Sequence, residues 1–159
     1  MKCLAYLPTQ DGQATKAGLE AVSYAKKCGA DVVALALGPL NADGGAGGAG
    51  ASKVLHVTHD LQDEAQIARA VSEAAKAEEA SLVVAPHNHV GRAVAPRVAV
   101  RLGAGMVPGV TGVLEGSTVQ RNVFSGKAMA HVSVDSEVKV ITTTPNAFGV
   151  EVGGPEAVV

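Results

Sequence analysis

Apolar positions along this chain keep two alternating rhythms as far as Gly105 and a third beyond it. Four short apolar runs, Cys3–Leu7, Asp31–Leu37, Lys53–Val57 and Ser81–Ala85, are too short for helices and read as buried strands. Between them apolar residues recur at helical spacing. Thr15–Lys27 sets Leu19, Val22 and Ala25 on one side, ends in Lys26 and Lys27 where cations suit the helix dipole, and stops at Gly29. A second helix opens near Asp60 or Asp63, with Asp63 and Gln66 in the capping-box pattern, and carries Ile67, Val71 and Ala74 inward. Val90, Val94, Val98 and Leu102 mark a third. Its Pro96 is tolerated best if the helix begins near Arg92, leaving the proline in or just past the first turn.

Strands alternating with helices predict right-handed crossovers and a parallel sheet covered on both faces. The expected strand order is third, second, first, fourth, fifth. After Gly105 the period shortens to two. Val110–Leu114, Thr118–Phe124 and Ala128–Val134, joined at Gly116 and Gly126, precede a last strand at Val138–Thr143. The expectation is therefore an α/β fold, a three-layer Rossmann-like, mostly parallel sheet with an antiparallel hairpin extension.

Composition narrows the partners. With 159 residues the chain is one domain, able to bury roughly 68–70% of its unfolded surface. Thirteen Lys and Arg against fifteen Asp and Glu give no basic stripe, and two Tyr, two Phe and no Trp give no stacking platform, so nucleic acid is excluded. No apolar run reaches the length of a membrane span, and Cys3–Leu7 is too short for a signal peptide, so the expected location is cytoplasmic without membrane insertion. Cys3 and Cys28 lack any CxxC or Cys-His spacing and are read as reduced, buried and structural.

Four places invite chemistry. The stretch Asp43–Gly50 resembles a phosphate loop only in its glycines: Lys53 opens a strand rather than a helix, so a mobile connector is expected. His56 and His59 end the third strand, and His87 and His89 follow the fourth. Three strand spacings of about 4.8 Å would hold those pairs roughly 14 Å apart, so no shared metal is expected. Pro86–Arg92 lies where open parallel sheets bind ligands. His87, Asn88, Gly91 and Arg92 are its weak cofactor-crevice candidates, with Gly91 permitting close approach and Arg92 adding charge. Arg97 and Arg101, four apart on the same helix, suit a subunit contact. No nucleophile with a paired histidine, no carboxylate dyad and no metal set emerges, so no catalytic residue is assigned.

Two segments carry a family resemblance: Arg121-Asn-Val-Phe-Ser-Gly-Lys-Ala-Met-Ala-His-Val132 with Val140-Ile-Thr-Thr-Thr-Pro-Asn-Ala-Phe148, and before them Gly91-Arg-Ala-Val-Ala-Pro-Arg-Val-Ala-Val-Arg-Leu102. In that order they resemble the N-terminal domain of electron transfer flavoprotein alpha subunits, across nearly the whole chain. Asn122 and Lys127 depart from a frequent Pro and Asn, and the family's short helix is not expected in the Gly-rich stretch. The resemblance implies an adenine nucleotide alpha hydrolase-like fold over residues 1–150. Residues 151–159 would begin an interdomain linker or tail, making this a piece of a longer subunit. It implies a non-enzymatic scaffold that pairs with a beta subunit and supports a separate FAD domain, none of the FAD being expected on this chain alone. The complex would carry electrons from acyl-CoA or other dehydrogenases toward the respiratory chain. Interface candidates are Arg97, Arg101, Arg121, Phe124, Gly126 and Lys127, and homodimerisation of the isolated domain stays open. The alternative is a stand-alone AMP- or ATP-binding module resembling the universal stress proteins, although Gly91, Gly103 and Gly105 lack that family's adjoining Ser or Thr.

Overall fold

The computed structural model describes residues 1–159. Its elements are β1 (Lys2–Gln10), β2 (Gln13–Ala14), α1 (Lys16–Lys27), β3 (Asp31–Leu37), α2 (Ala46–Ala49), β4 (Ala51–Val57), α3 (Glu64–Ala77), β5 (Leu82–Pro86), α4 (His89–Leu102), β6 (Gly105–Val110), β7 (Thr118–Val123), β8 (Ala128–Ser133) and β9 (Lys139–Thr143). The strands form one sheet in the order β4-β3-β1-β5-β9-β6-β7-β8, with β2 paired to β1. Neighbours from β4 to β6 are parallel, and the β6–β7 and β7–β8 pairs are antiparallel. This is the α/β, mostly parallel Rossmann-like sheet with an antiparallel extension that the hydrophobic rhythm predicts.

Local signals set the early elements. Thr15 caps α1 by accepting the Gly18 N–H, and Asp63 caps α3 by accepting the Gln66 N–H at 3.0 Å. Helix α4 begins at His89 rather than near Arg92, because Asn88 supplies the cap and accepts the Gly91 N–H at 2.8 Å. Pro96 thus falls within the helix. Pro96 and Arg92 both lie on its exposed side, where water can take the carbonyl left without a donor.

The chain after α4 departs further from expectation. The strand there is Gly105–Val110, not Val110–Leu114, and it runs parallel to β9. Strand β9 returns after the β7–β8 ribbon and inserts between β5 and β6. The ribbon is therefore an excursion within the sheet's order. Pro108 and Gly109 hide the period of β6: Pro108 has no N–H for the ladder, Gly109 takes φ 62°, and the register shifts between Val107 and Val110.

Helices α3 and α4 cover one face of the sheet, burying Ile67, Val71, Val94 and Val98 against Leu4, Val33, Val83 and Val140. On the other face α1 buries Val22, Tyr24 and Ala25 against Leu7, Leu82, Val84 and Ile141. Cys3 and Cys28 are both free on this face, and burial pushes both thiols up in pKa. A single full-length helix leaves much of this face open, and the segment after β9 closes it. Glu20, only 2% exposed, accepts the N–H groups of Asn146, Phe148 and Gly149 at 2.9, 2.8 and 2.9 Å. The Ser23 hydroxyl accepts the Glu151 N–H at 2.9 Å, and the Phe148 ring meets Tyr24 edge-on at 4.6 Å.

The Gly-rich stretch is folded, which corrects the expectation of a mobile connector. It contains α2, the short helix not expected there, and the Asp43 carboxylate accepts the N–H groups of Gly45, Gly47 and, from the tail, Ala157. A Cβ at Gly47 would collide with the Pro155 carbonyl oxygen and the Ala157 nitrogen. Packing of Gly47 against the tail and left-handed backbone at Gly44, Gly45 and Gly50, not mobility, account for these glycines.

Two outcomes follow from these carboxylates. Glu20→Ala should cost about 3 kcal/mol in urea denaturation, since three part-buried amides lose an ionised acceptor, and the Asn146, Phe148 and Gly149 amides should exchange faster. Unchanged stability would remove Glu20 from this role. Burial alone would raise the Asp43 pKa, but the N–H groups of Ala157, Gly45 and Gly47 bring it below the ordinary 3.8. Its contribution is therefore complete above that value and is lost as pH falls through the lower native one. Asp43→Asn should flatten this acid limb of the stability profile.

Candidate functional site

Strand β5 ends at Pro86 and α4 begins at His89, which leaves His87 and Asn88 at the carboxyl edge of the sheet. The His87 backbone N–H donates to the Thr143 carbonyl at 2.9 Å, holding the residue against β9. Its ring Nδ1 lies 2.8 Å from the Thr142 hydroxyl, and that hydroxyl also accepts the Gly109 N–H at 2.9 Å. Thr142 is fully buried, opposite Ala85 in the ladder. The β6 bulge makes this contact, because the left-handed Gly109 brings its N–H to β9. A Cβ at Gly109 would sit 3.6 Å from the His87 ring. One threonine hydroxyl thus joins the ends of β5, β9 and β6.

The charge around it is positive. Arg92 lies in the first turn of α4, and Arg121 on β7 pairs with Val110 at the end of β6. Burial first, then the Arg92 and Arg121 charges, lower the His87 pKa below 6.5, so its ring is neutral at neutral pH. No arginine of the protein makes an ion pair; lysines make them all. The Arg121 Nε and the Thr111 hydroxyl are buried without a hydrogen-bond partner. The cluster offers donors and positive charge, and it presents neither a nucleophile nor a carboxylate base.

The crevice between β1 and β5, at the switch point of the sheet, is a different place. Its cavity of about 180 Å³ is lined by Tyr6, Thr9, Asp60, Leu61, Asn88 and Val90 among others. Ligand sites usually occupy about 300–1,000 Å³. Burial, then the Asp60 charge, push the Tyr6 hydroxyl up to about 12. A small, partly acidic crevice does not fit a flavin or adenine dinucleotide, and no step through such a group is assigned to it.

The candidates separate accordingly. Asn88 and Gly91 are engaged in the α4 cap, and a Cβ at Gly91 would collide with the Pro86 carbonyl oxygen, so this glycine admits the chain's own backbone. His56 bonds the Gly38 carbonyl at 2.7 Å, and β3 and β1 separate its strand from β5. Arg97 and Arg101 are exposed on α4 and, with Ala65, Pro96 and Val100, line an open groove of about 540 Å³. Arg97 donates to the Ala93 carbonyl of its own helix at 2.7 Å. At the ribbon tip Phe124 is 76% exposed, the Lys127 ammonium lies 5.6 Å from its ring centre, and Gly126 takes φ 79°. Arg92 and Arg121 are close enough for their charges to act on His87, while Arg97 with Arg101 and Phe124 with Lys127 form two separate groups elsewhere. Thr142, Gly109 and Thr111 escaped the reading from sequence. The Pro108-Gly109 pair inside an apolar run was the available signal for the bulge.

Arg92→Gln should raise the His87 pKa toward 6.5, followed by the imidazole proton shift in NMR titration, because one opposing charge is removed. A value that stays put would place Arg92 too far away to matter. His87 protonation opposes folding, so stability is fullest above 6.5 and falls as pH drops toward the lower native value.

The electron transfer flavoprotein domain, as a sequence family, matches residues 4–157. The "Probable electron transfer flavoprotein subunit alpha, mitochondrial" of Schizosaccharomyces pombe (strain 972 / ATCC 24843) is 30% identical over 154 residues, covering 91% of this chain. The chain spans 45% of that relative's length. No helix is long and apolar enough to cross a membrane.

Proposed function

The chain belongs to the electron transfer flavoprotein family, and from that membership we propose that it is the scaffold domain of an alpha-type subunit. In this reading residues 1–150 pair with a beta-type subunit and support a separate FAD-binding domain, and residues 151–159 lead toward it. Electrons would pass from dehydrogenases, acyl-CoA dehydrogenases among them, toward a respiratory acceptor by way of the flavin. Family members are electron carriers, and this domain's part would be to set the geometry in which the flavin domain moves. The compartment proposed from the sequence is the cytoplasm.

The observation that carries this reading is the match over nearly the whole chain to a family of electron carriers. The 180 Å³ crevice at the switch point agrees with it, being too small to house the flavin here. The alternative of a stand-alone AMP or ATP module is disfavoured by the same crevice, whose lining includes Asp60 and no Lys or Arg. Two exposed surfaces suit partner contact. The α4 groove has Arg97 and Arg101 without carboxylate partners beside Val100, which is 83% exposed. The ribbon tip shows Phe124 and Lys127, and β8 lies at the open edge of the sheet. Exposed Arg side chains, as on α4, and an exposed aromatic, as at the ribbon tip, are what interfaces favour.

The visible spectrum of the chain, before and after excess FAD and desalting, tests the placement of the cofactor, and binding to a beta-type subunit by sedimentation tests the partner. A colourless chain that binds the beta-type subunit is expected. Arg97→Glu with Arg101→Glu should weaken that binding by about tenfold or more if α4 faces the partner, and Phe124→Ala should do so if the ribbon does. Retained flavin, or absence of any complex, would overturn the scaffold reading.

A further inference from the structure

We propose that the carboxyl edge formed by β5, β9 and β6 is a binding site for a single oxyanion, a phosphate or carboxylate group, held by Arg92 and Arg121 beside His87. Three observations converge there. First, the charge is uncompensated: β5, α4, β6, β7 and β9 contain not one Asp or Glu between them, and neither arginine makes an ion pair. A guanidinium cannot shed its proton, so its charge calls for an anion or for water. Second, two polar atoms are buried with nothing to bond, the Arg121 Nε on β7 and the hydroxyl of Thr111, the residue that follows β6. Buried donors are nearly always satisfied, and an unpaired one points to a missing group. Third, the edge is preformed. The Pro108-Gly109 bulge and the Thr142 hydroxyl fix the imidazole, with 2.8 and 2.9 Å hydrogen bonds, on strands of the central sheet rather than on a free loop.

The chemistry selects the ligand class. Arginines present a planar fork of donors that matches the oxygens of a carboxylate or phosphate, and a neutral imidazole adds a donor or becomes a cation once an anion arrives. None of these five elements carries an acidic group, so a cation is disfavoured. The site is separate from the β1–β5 crevice, which lies on the other side of β5 in the strand order. The proposal does not depend on pairing with a beta-type subunit, and its test involves neither that subunit nor flavin.

The probes are inorganic phosphate and acetate, each added at neutral pH to the 159-residue chain with chloride at matched ionic strength as the control. The imidazole signal of His87 in proton–carbon NMR is the readout, with His56, His59 and His131 as references. A saturable shift confined to His87 is expected, weakened about tenfold in Arg121→Gln and in Arg92→Gln. Arg92 is exposed, so its variant tests the site even if Arg121→Gln fails to fold. Saturation by phosphate alone identifies a phosphate group; saturation by acetate alone identifies a carboxylate, as a partner's side chain would supply. No saturation by either, movement of all histidines together, or binding unaffected by Arg92→Gln would overturn the proposal.

Discussion

Three backbone amides on one buried carboxylate decide how this sheet is closed. Glu20 is on α1, the only full-length helix on its face, and it accepts from Asn146, Phe148 and Gly149. A parallel sheet must be covered on both faces, and α3 and α4 do so on the opposite side. Here much of the cover is a segment without regular structure, whose amides have no ladder to join. Each must find an acceptor or stay in water. Glu20, Ser23 and Asp43 supply such acceptors, so residues 146–157 can lie on apolar core without orphaned donors. The Tyr24–Phe148 contact adds packing to the same joint. Both buried carboxylates are thereby accounted for as structural, and neither is available as a general base.

The elements legible in the sequence are those whose signal is local. Asp63 with Gln66 before α3 and Gly29 after α1 act within one helical turn, and the structure has each where the spacing puts it. The short apolar strands are equally local. What failed depends on competing local signals or on distant partners. Asn88 as a cap competes with Pro96 as a breaker, and the proline can sit inside α4 because its side of the helix is exposed. The Gly-rich stretch looks mobile until Pro155 and Ala157 arrive from the far end of the chain to pack on Gly47. Strand β6 was misplaced because Pro108 and Gly109 break its period for a purpose that only β9 reveals.

The candidate site follows the same division. His87 and Arg92 could be singled out from their place after the fourth strand. Arg121 was noticed for another reason, its motif, and the sheet order then carried it next to them through β9 and β6. Thr142 could not be read at all, since a buried threonine in a Val-Ile-Thr run is ordinary strand composition. Its contact with His87 spans 55 residues of sequence.

The carboxyl edge of a parallel sheet is where this architecture places ligands, whatever the family, yet the usual crevice is largely filled here. Tyr6 and Asp60 line the roughly 180 Å³ that remains, the tyrosine raised in pKa by burial and by the Asp60 charge. The open positive charge lies one strand interval further along, where the bulge in β6 turns Gly109 toward β9. That displacement reconciles a scaffold role with a preformed edge. A domain with little room for a nucleotide at its switch point can still present arginines beside it, and those arginines need an acceptor. Lys2, Lys27, Lys53 and Lys76 find theirs within the chain, on Glu78, Glu151 and Glu73, whereas none of the arginines does. Since guanidinium forks suit directional contacts with oxyanions better than ammonium groups do, Arg92 and Arg121 carry the charge that the proposed oxyanion would answer, while four lysines are already answered by carboxylates of the chain itself.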